Sequence, residues 1–234
     1  MPVSSNVRHQ NPRHFDFAAE SMPHPLQNRV DPWGRLHAYP GKAATRMGNR
    51  GVLHNDSQEV IRVSRTKAWL CCRTQLAGIK RSVFQVKPTF SYSELFFLDE
   101  ATALSAGHRP CKDCQPLRFA KFKRTWIAAN INDQTPGRVL ISEVDTQLEL
   151  ERLDMEQRKV TFKTPLSELP TGAMFAEDGS ACLVTCGGLY IWSFDGYKLR
   201  ERGKEREVEV LTPISIIAAM KIGYIPAIHL SADA

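Results

Sequence analysis

Cys111 and Cys114 stand in the run Ala106-Gly107-His108-Arg109-Pro110-Cys111-Lys112-Asp113-Cys114-Gln115-Pro116. Two thiols at C-x-x-C spacing can grip one metal ion, and half of a structural zinc site is built this way. A redox dithiol has the same spacing, and zinc asks for four ligands. The pair by itself therefore leaves three readings open: metal binding, redox exchange and metal-free packing.

The flanking residues say how the pair is positioned. Upstream, Phe96-Phe97-Leu98 reads as a short strand, Asp99 as an N-cap with Glu100 in the first helical turn, and Ala101 to Ala106 as a short helix that Gly107 ends. Downstream, Pro116 opens a second helix from Leu117 to about Asn130. Its Phe119, Phe122 and Trp126 recur at helical spacing, and Arg118, Lys121, Lys123 and Arg124 fill the polar positions. The cysteine turn is thus expected between two helices.

The run Phe96 to Pro116 resembles the zinc-binding domain of Ada-type methylphosphotriester-repair proteins. That family reads F-F, a helix with A-x-x-A, then A-G-F-R-P-C-K-x-C-x-P, and His108 here takes the aromatic slot. The resemblance implies a small α/β metal-binding domain holding zinc, with an earlier C-R-x-x-x-C-like pair completing the site. It also implies that the first cysteine of that pair accepts a methyl group from DNA phosphate. The corresponding stretch is Trp69-Leu70-Cys71-Cys72-Arg73-Thr74-Gln75-Leu76, in which Cys72-Arg73 matches C-R and Leu76 stands where the second upstream cysteine belongs. By resemblance, Cys72 is the methyl acceptor.

Three thiolates, Cys72, Cys111 and Cys114, then need a fourth contact, for which Cys71, His37, His54 and His108 are the candidates. Neighbouring side chains of an extended chain point to opposite faces, which disfavours Cys71 and favours a histidine. The expected metal set is Cys72, Cys111, Cys114 and His108, with zinc as the ion. The metal-free alternative makes Cys71 and Cys72 small buried apolar residues of a strand from Ala68 to Arg73.

Charge is unevenly distributed along the chain. Residues 62 to 124 carry 13 Lys or Arg against 4 Asp or Glu, a balance of +9, while residues 141 to 211 carry 9 against 14, a balance of −5. Positive charge around the cysteines attracts phosphate and favours the thiolate form. Arg73, Lys80, Arg81, Arg109, Lys112 and Arg118 are the expected nucleic-acid contacts; an ordinary solvated face explains the same residues without a ligand. Further upstream, Gly48-Asn49-Arg50-Gly51 can bring backbone amides and two arginines, Arg46 and Arg50, close to a phosphate, or can serve only as a turn between strands.

With 234 residues, 42% of them hydrophobic, the chain can bury a substantial core. Six cysteines in a chain that reads as cytoplasmic suggest thiols or metal ligands more than disulfides. The longest apolar stretch, Ile214 to Leu230, is broken by Lys221, Gly223 and Pro226, so no membrane segment is expected.

Residues 1–28 read as a loose tail, 29–132 as the basic, cysteine-bearing Ada-like domain, and 138–234 as a β-rich domain, with a hinge at Asp133 to Gly137. Strands are expected at Val60–Val63, Ala68–Cys72 and Ser82–Val86 in the first half. In the second half they are expected at Arg158–Lys163, Ala173–Ala176, Cys182–Thr185, Tyr190–Ser193 and Val208–Leu211. Ser142 is expected to cap a helix running to about Leu153, and a last helix follows Thr212-Pro213 and ends at Gly223. Its exit, Ala219 to Pro226, echoes Ala103 to Pro110, as one joint geometry repeated would do. Cys182 and Cys186 read as core residues, and Trp192, Phe194 and Tyr197 either as an aromatic platform for a base or, as strand aromatics usually are, as packing residues. The fold class that follows is α+β: the small metal-binding domain, then a helix and an antiparallel β meander.

Three functions from different classes fit these features. The first is a zinc-stabilised module that binds DNA or RNA. The second, from the resemblance, is a DNA-repair protein that takes one methyl group on Cys72. The third is a metal-free structural or regulatory scaffold whose acidic C-terminal half meets a protein partner. No Ser-His-Asp spelling, carboxylate pair or complete phosphate loop points to turnover.

Overall fold

The computed structural model describes residues 25–74, 92–131, 138–201 and 203–232. Over these residues the fold is α+β, with two six-stranded sheets joined by helices. The first sheet contains β1 (Gln27–Val30), β2 (Leu36–Ala38), β3 (Arg46–Asn49), β4 (Leu70–Arg73), β5 (Leu95–Phe97) and β6 (Arg109–Pro110). Their order is β2-β1-β5-β3-β4-β6. It is mixed: β1 runs parallel to β5 and β4 parallel to β6, and the other pairs are antiparallel.

Helix α1 (Glu100–Ser105) follows β5 directly. Asp99 caps it as its sequence position predicts, accepting the Thr102 N–H at 2.8 Å. At the other end Gly107 takes φ +85°, its N–H donating to Leu104 O and that of His108 to Ala103 O, both at 2.9 Å. This paired closure needs a left-handed residue at the glycine position and turns the chain sharply into β6. The echo downstream is the same joint. Gly223 takes φ +108°, and the N–H groups of Gly223 and Tyr224 donate to Met220 O and Ala219 O at 3.0 and 3.1 Å.

Helix α2 (Pro116–Asn130) starts at the expected proline and buries Phe122, Trp126 and Ile127. Helix α3 (Ile141–Arg152) starts earlier than expected. Leu140 occupies the cap position in place of Ser142, and its N–H donates to Glu143 at 2.8 Å, so the acid three residues on selects the start. Val60–Val63 is not a strand; Val60 makes one isolated bridge to His54. The expected Ser82–Val86 strand and the 133–137 hinge lie outside the described residues.

The second sheet is the antiparallel one, in the order β11-β10-β9-β8-β12-β7. Its members are β7 (Phe162–Pro165), β8 (Met174–Glu177), β9 (Ser180–Thr185), β10 (Gly188–Ser193), β11 (Gly196–Arg200) and β12 (Glu207–Val210), and helix α4 (Ile214–Lys221) follows. Leu98 and Ala101 pack with Met174, Leu183 and Tyr190, and Phe122 and Trp126 pack with Val144, Leu148 and Ile216. The segments before and after residues 132–137 therefore share apolar clusters.

Two buried carboxylates reinforce that union from the first turn of α1. Asp99 accepts from the Tyr197 hydroxyl and the His229 N–H, both at 2.9 Å. Glu100 accepts from Arg118, the Tyr224 hydroxyl and the Ala227 N–H. Among the described residues no helix is long and apolar enough to cross a membrane.

Candidate metal centre

Strands β4 and β6 build the centre. Parallel pairing places Leu70 beside Arg109 and Cys71 beside Pro110, with Arg109 N–H donating to Trp69 O and Cys111 N–H to Cys71 O, each at 2.9 Å. The turn after β6 is thereby laid along the end of β4. Gln115, at the N-terminus of α2, locks it from the far side through Nε2 to Cys71 O at 2.9 Å. The sulfurs of Cys72, Cys111 and Cys114 consequently lie within 4.8 Å of one another, and all three residues are buried. Zn–S bonds of about 2.3 Å in a tetrahedron hold neighbouring sulfurs about 3.8 Å apart, so the trio needs little adjustment to close on an ion.

Alternation along β4 decides which of the adjacent cysteines joins. Cys72 faces the other two sulfurs, with Met47, Leu70, Tyr92 and Phe96 around them. Cys71 faces the opposite way and packs against Val30, Leu53, Leu95 and Phe97, as expected of neighbours on a strand. Burial pushes the Cys71 thiol well above its ordinary range.

The three facing sulfurs share protons. Hydrogen bonds to Cys111 and Cys114 push the Cys72 thiol upward. Cys111 is drawn down to about 5, first by the Cys72 thiol donating to it and then by the N–H groups of Cys114 and Asp113. Cys114 is lowered by the same Cys72 contact, with the Arg73 N–H assisting. Backbone donors already aimed at two sulfurs are an environment made for thiolates. These three cysteines can hold a metal ion.

His108, expected as the fourth ligand, is elsewhere. Its ring is fully buried between Trp69 and Phe97, with centroids at 5.2 and 4.6 Å. Nδ1 donates to Leu70 O at 3.0 Å and Nε2 accepts from Arg50 Nε at 2.8 Å, so both nitrogens are used. Burial first, then the neighbouring Arg50 charge, hold it neutral, far below the usual histidine range.

The other two candidate histidines are committed as well. His37 bonds Asp31 at 2.8 Å, and His54 bonds Ser93 Oγ at 2.8 Å and Gln27 O at 3.1 Å. Among the described residues no histidine, carboxylate or further cysteine joins the trio. Cys182 is a core residue as expected, but Cys186 is exposed at a turn. Trp192 and Tyr197 pack, donating to Thr102 and Asp99.

The basic residues separate into two kinds. Arg109 is a correction: it is 5% exposed and holds buried Asp145 with two bonds of 2.6 Å, from Nε and Nη2, so it belongs to the interior. Arg118 is another, because its guanidinium is spent on buried Glu100 and on Ile225 O at 3.0 Å. Arg73 and Lys112, next in sequence to Cys72 and Cys111, are exposed. Lys80, Arg81 and Leu76 lie outside the described residues. Sequence reasoning missed Gln115 as the clamp on β4 and Asp145 as the partner of Arg109. The signal for Asp145 is an acid on the buried side of α3, level with Val144 and Leu148.

The chain matches no family model, no curated protein and no solved structure.

Proposed function

We propose that the protein binds zinc through Cys72, Cys111 and Cys114, and that the ion fastens an Ada-like junction whose basic exterior associates with nucleic acid. The observation that carries this reading is the convergence of three buried sulfurs from β4 and from the turn after β6. Thiolates select soft or borderline cations, and zinc is the common one that needs no redox partner. Bound there, the cation would neutralise the thiolates and cross-link β4 to the start of α2. Three protein ligands leave a fourth position for water or another donor. Arg73 and Lys112, next in sequence to Cys72 and Cys111, are exposed, as are Lys121 and Arg124 on α2, and exposed positive charge of this kind is what a polyanion would meet.

Cobalt substitution tests the site directly. Cobalt(II) added to the metal-stripped full chain is expected to give thiolate-to-metal absorption that saturates at one equivalent and collapses in Cys111→Ser. Saturation without thiolate bands would contradict the assignment.

A second reading keeps Cys72 as an acceptor of one methyl group, in which its sulfur bonds the methyl carbon and a phosphodiester leaves. Its motivation is the matching Cys72-Arg73 spelling; against it, Cys72 is only 6% exposed. Mass spectrometry after incubation with methylphosphotriester DNA is expected to find Cys72 unmodified, and a gain of one methyl group there would favour repair.

A further inference from the structure

The alternation that turns Cys72 toward the sulfurs turns Trp69 to the opposite face, where three cations gather. Arg50, at the end of β3, is fully buried. Its Nε donates to His108 at 2.8 Å, its Nη1 to Gly34 O at 2.9 Å, and its guanidinium carbon lies 3.7 Å from the Trp69 ring centre. Its second terminal nitrogen, Nη2, is buried with no hydrogen-bond partner. Arg152 lies over the same ring at 4.7 Å, donates to Gly107 O and Lys67 O, and also leaves Nη2 unpartnered. Lys159 donates to Ser105 O at 2.6 Å.

Carboxylates nearby are occupied. Asp31 accepts from the Arg35 N–H and bonds His37, Glu151 accepts from Ser215 and Gln147, and Asp145 holds Arg109. A buried guanidinium nitrogen without an acceptor is costly and is seldom kept without a use.

Arg50 and Lys159 line a cavity of about 430 Å³ together with Trp33, Leu36 and Val63, and Arg35 and Arg158 line it as well. Arg158 is already paired with Asp154 and Glu156. A volume of this size falls within the roughly 300–1,000 Å³ of small-ligand sites, which combine apolar walls with a few convergent polar groups.

We propose that this cavity binds a small phosphate monoester, with its phosphoryl oxygens against Arg50 Nη2 and Lys159 Nζ and its apolar body against Trp33, Leu36 and Val63. An ammonium with one of three hydrogens used and a free guanidinium NH₂ offer about four N–H bonds from two separate elements. A head with three acceptor oxygens uses them better than a carboxylate with two. The site is independent of the sulfurs: it shares no lining residue with them and needs no metal. The sequence run Gly48 to Gly51 thus supplies one arginine to an anion site, through a buried side chain and without a backbone cradle.

Phenyl phosphate, inorganic phosphate and benzoate, titrated calorimetrically into the full chain, test the assignment. Phenyl phosphate is expected to bind at one equivalent, at least tenfold tighter than either of the others. Lys159→Gln is expected to weaken it at least tenfold. Arg50→Lys, which keeps the charge and removes the forked donor, should weaken it similarly where circular dichroism shows the fold retained. Lys163→Gln, a charge change outside the cavity, should leave affinity unchanged. Absence of saturable phenyl phosphate binding, equal affinity for benzoate, or an undiminished affinity in Lys159→Gln would overturn the proposal.

Discussion

Strand β4 separates two buried clusters with opposite needs. On one face three sulfurs come together, two of them with backbone N–H groups aimed at them, and can hold a cation. On the other, Arg50, Arg152 and Lys159 come together with two guanidinium nitrogens unsatisfied and call for an anion. The sulfur side is assembled from short-range turns and one strand pairing, and the cationic side from residues scattered between Gly34 and Lys159. A metal site can be spelled locally because a turn supplies two ligands at once. An anion site made of long side chains reaching inward has no spelling.

The largest contrast between the faces is expected on metal removal. For small zinc domains the ion's apparent binding free energy, about 10 kcal/mol or more, is folding free energy. Chelation should therefore lower the urea midpoint strongly in the native chain and in Lys159→Gln alike, and hardly at all in Cys111→Ser. Equal chelator sensitivity in Cys111→Ser would remove the sulfur face from the account.

Next in size is the ion pair behind the turn. Arg109→Ala leaves Asp145 charged, buried and unpaired, a loss of about 3–5 kcal/mol. Adding Asp145→Ala should recover part of it, whereas a single-variant loss below about 1 kcal/mol would return Arg109 to the surface set.

A smaller effect distinguishes the cationic face by pH. Burial first, then the charges of Arg50 and Arg152, bring the Lys159 ammonium down from 10.5 to about 7. Between those values the unfolded chain binds more protons, so this group makes stability rise with pH above about 7; below that its full penalty is present. Lys159→Met should flatten the rise in urea midpoint across the window, and an unchanged slope would contradict the burial of that charge.

The smallest expected effect lies outside both clusters. Replacing Arg73 and Lys112 by Gln should lower the salt slope of oligonucleotide binding by about 2, one per phosphate contact. Unaltered salt dependence would place any nucleic-acid contact elsewhere.

What the sequence disclosed follows the same division. Asp99, Gly107 and Pro116 announced their cap, turn and helix start, because each acts on backbone within a few residues. The short strand patterns between Ala173 and Leu211 marked the antiparallel meander, although β11 itself was not anticipated. Cys72 was found through its spelling and Cys71 set aside by alternation, both local arguments. His108, Arg109 and Arg118 were misassigned because their partners, Arg50, Asp145 and Glu100, lie 18 to 58 residues away. A charged or titratable side chain next to a metal turn reads as part of the site until the fold reveals an interior partner. Arg50 carried a phosphate suggestion through its glycine neighbours, yet its destination depended on the Schellman joint at Gly107 delivering His108 beneath it.

Quantifying zinc in the full chain purified without added metal, beside Cys111→Ser, tests the central claim most directly. The account predicts close to one zinc per native chain and very little in the variant. A correctly folded native chain without metal, or a variant carrying as much zinc as the native protein, would contradict it.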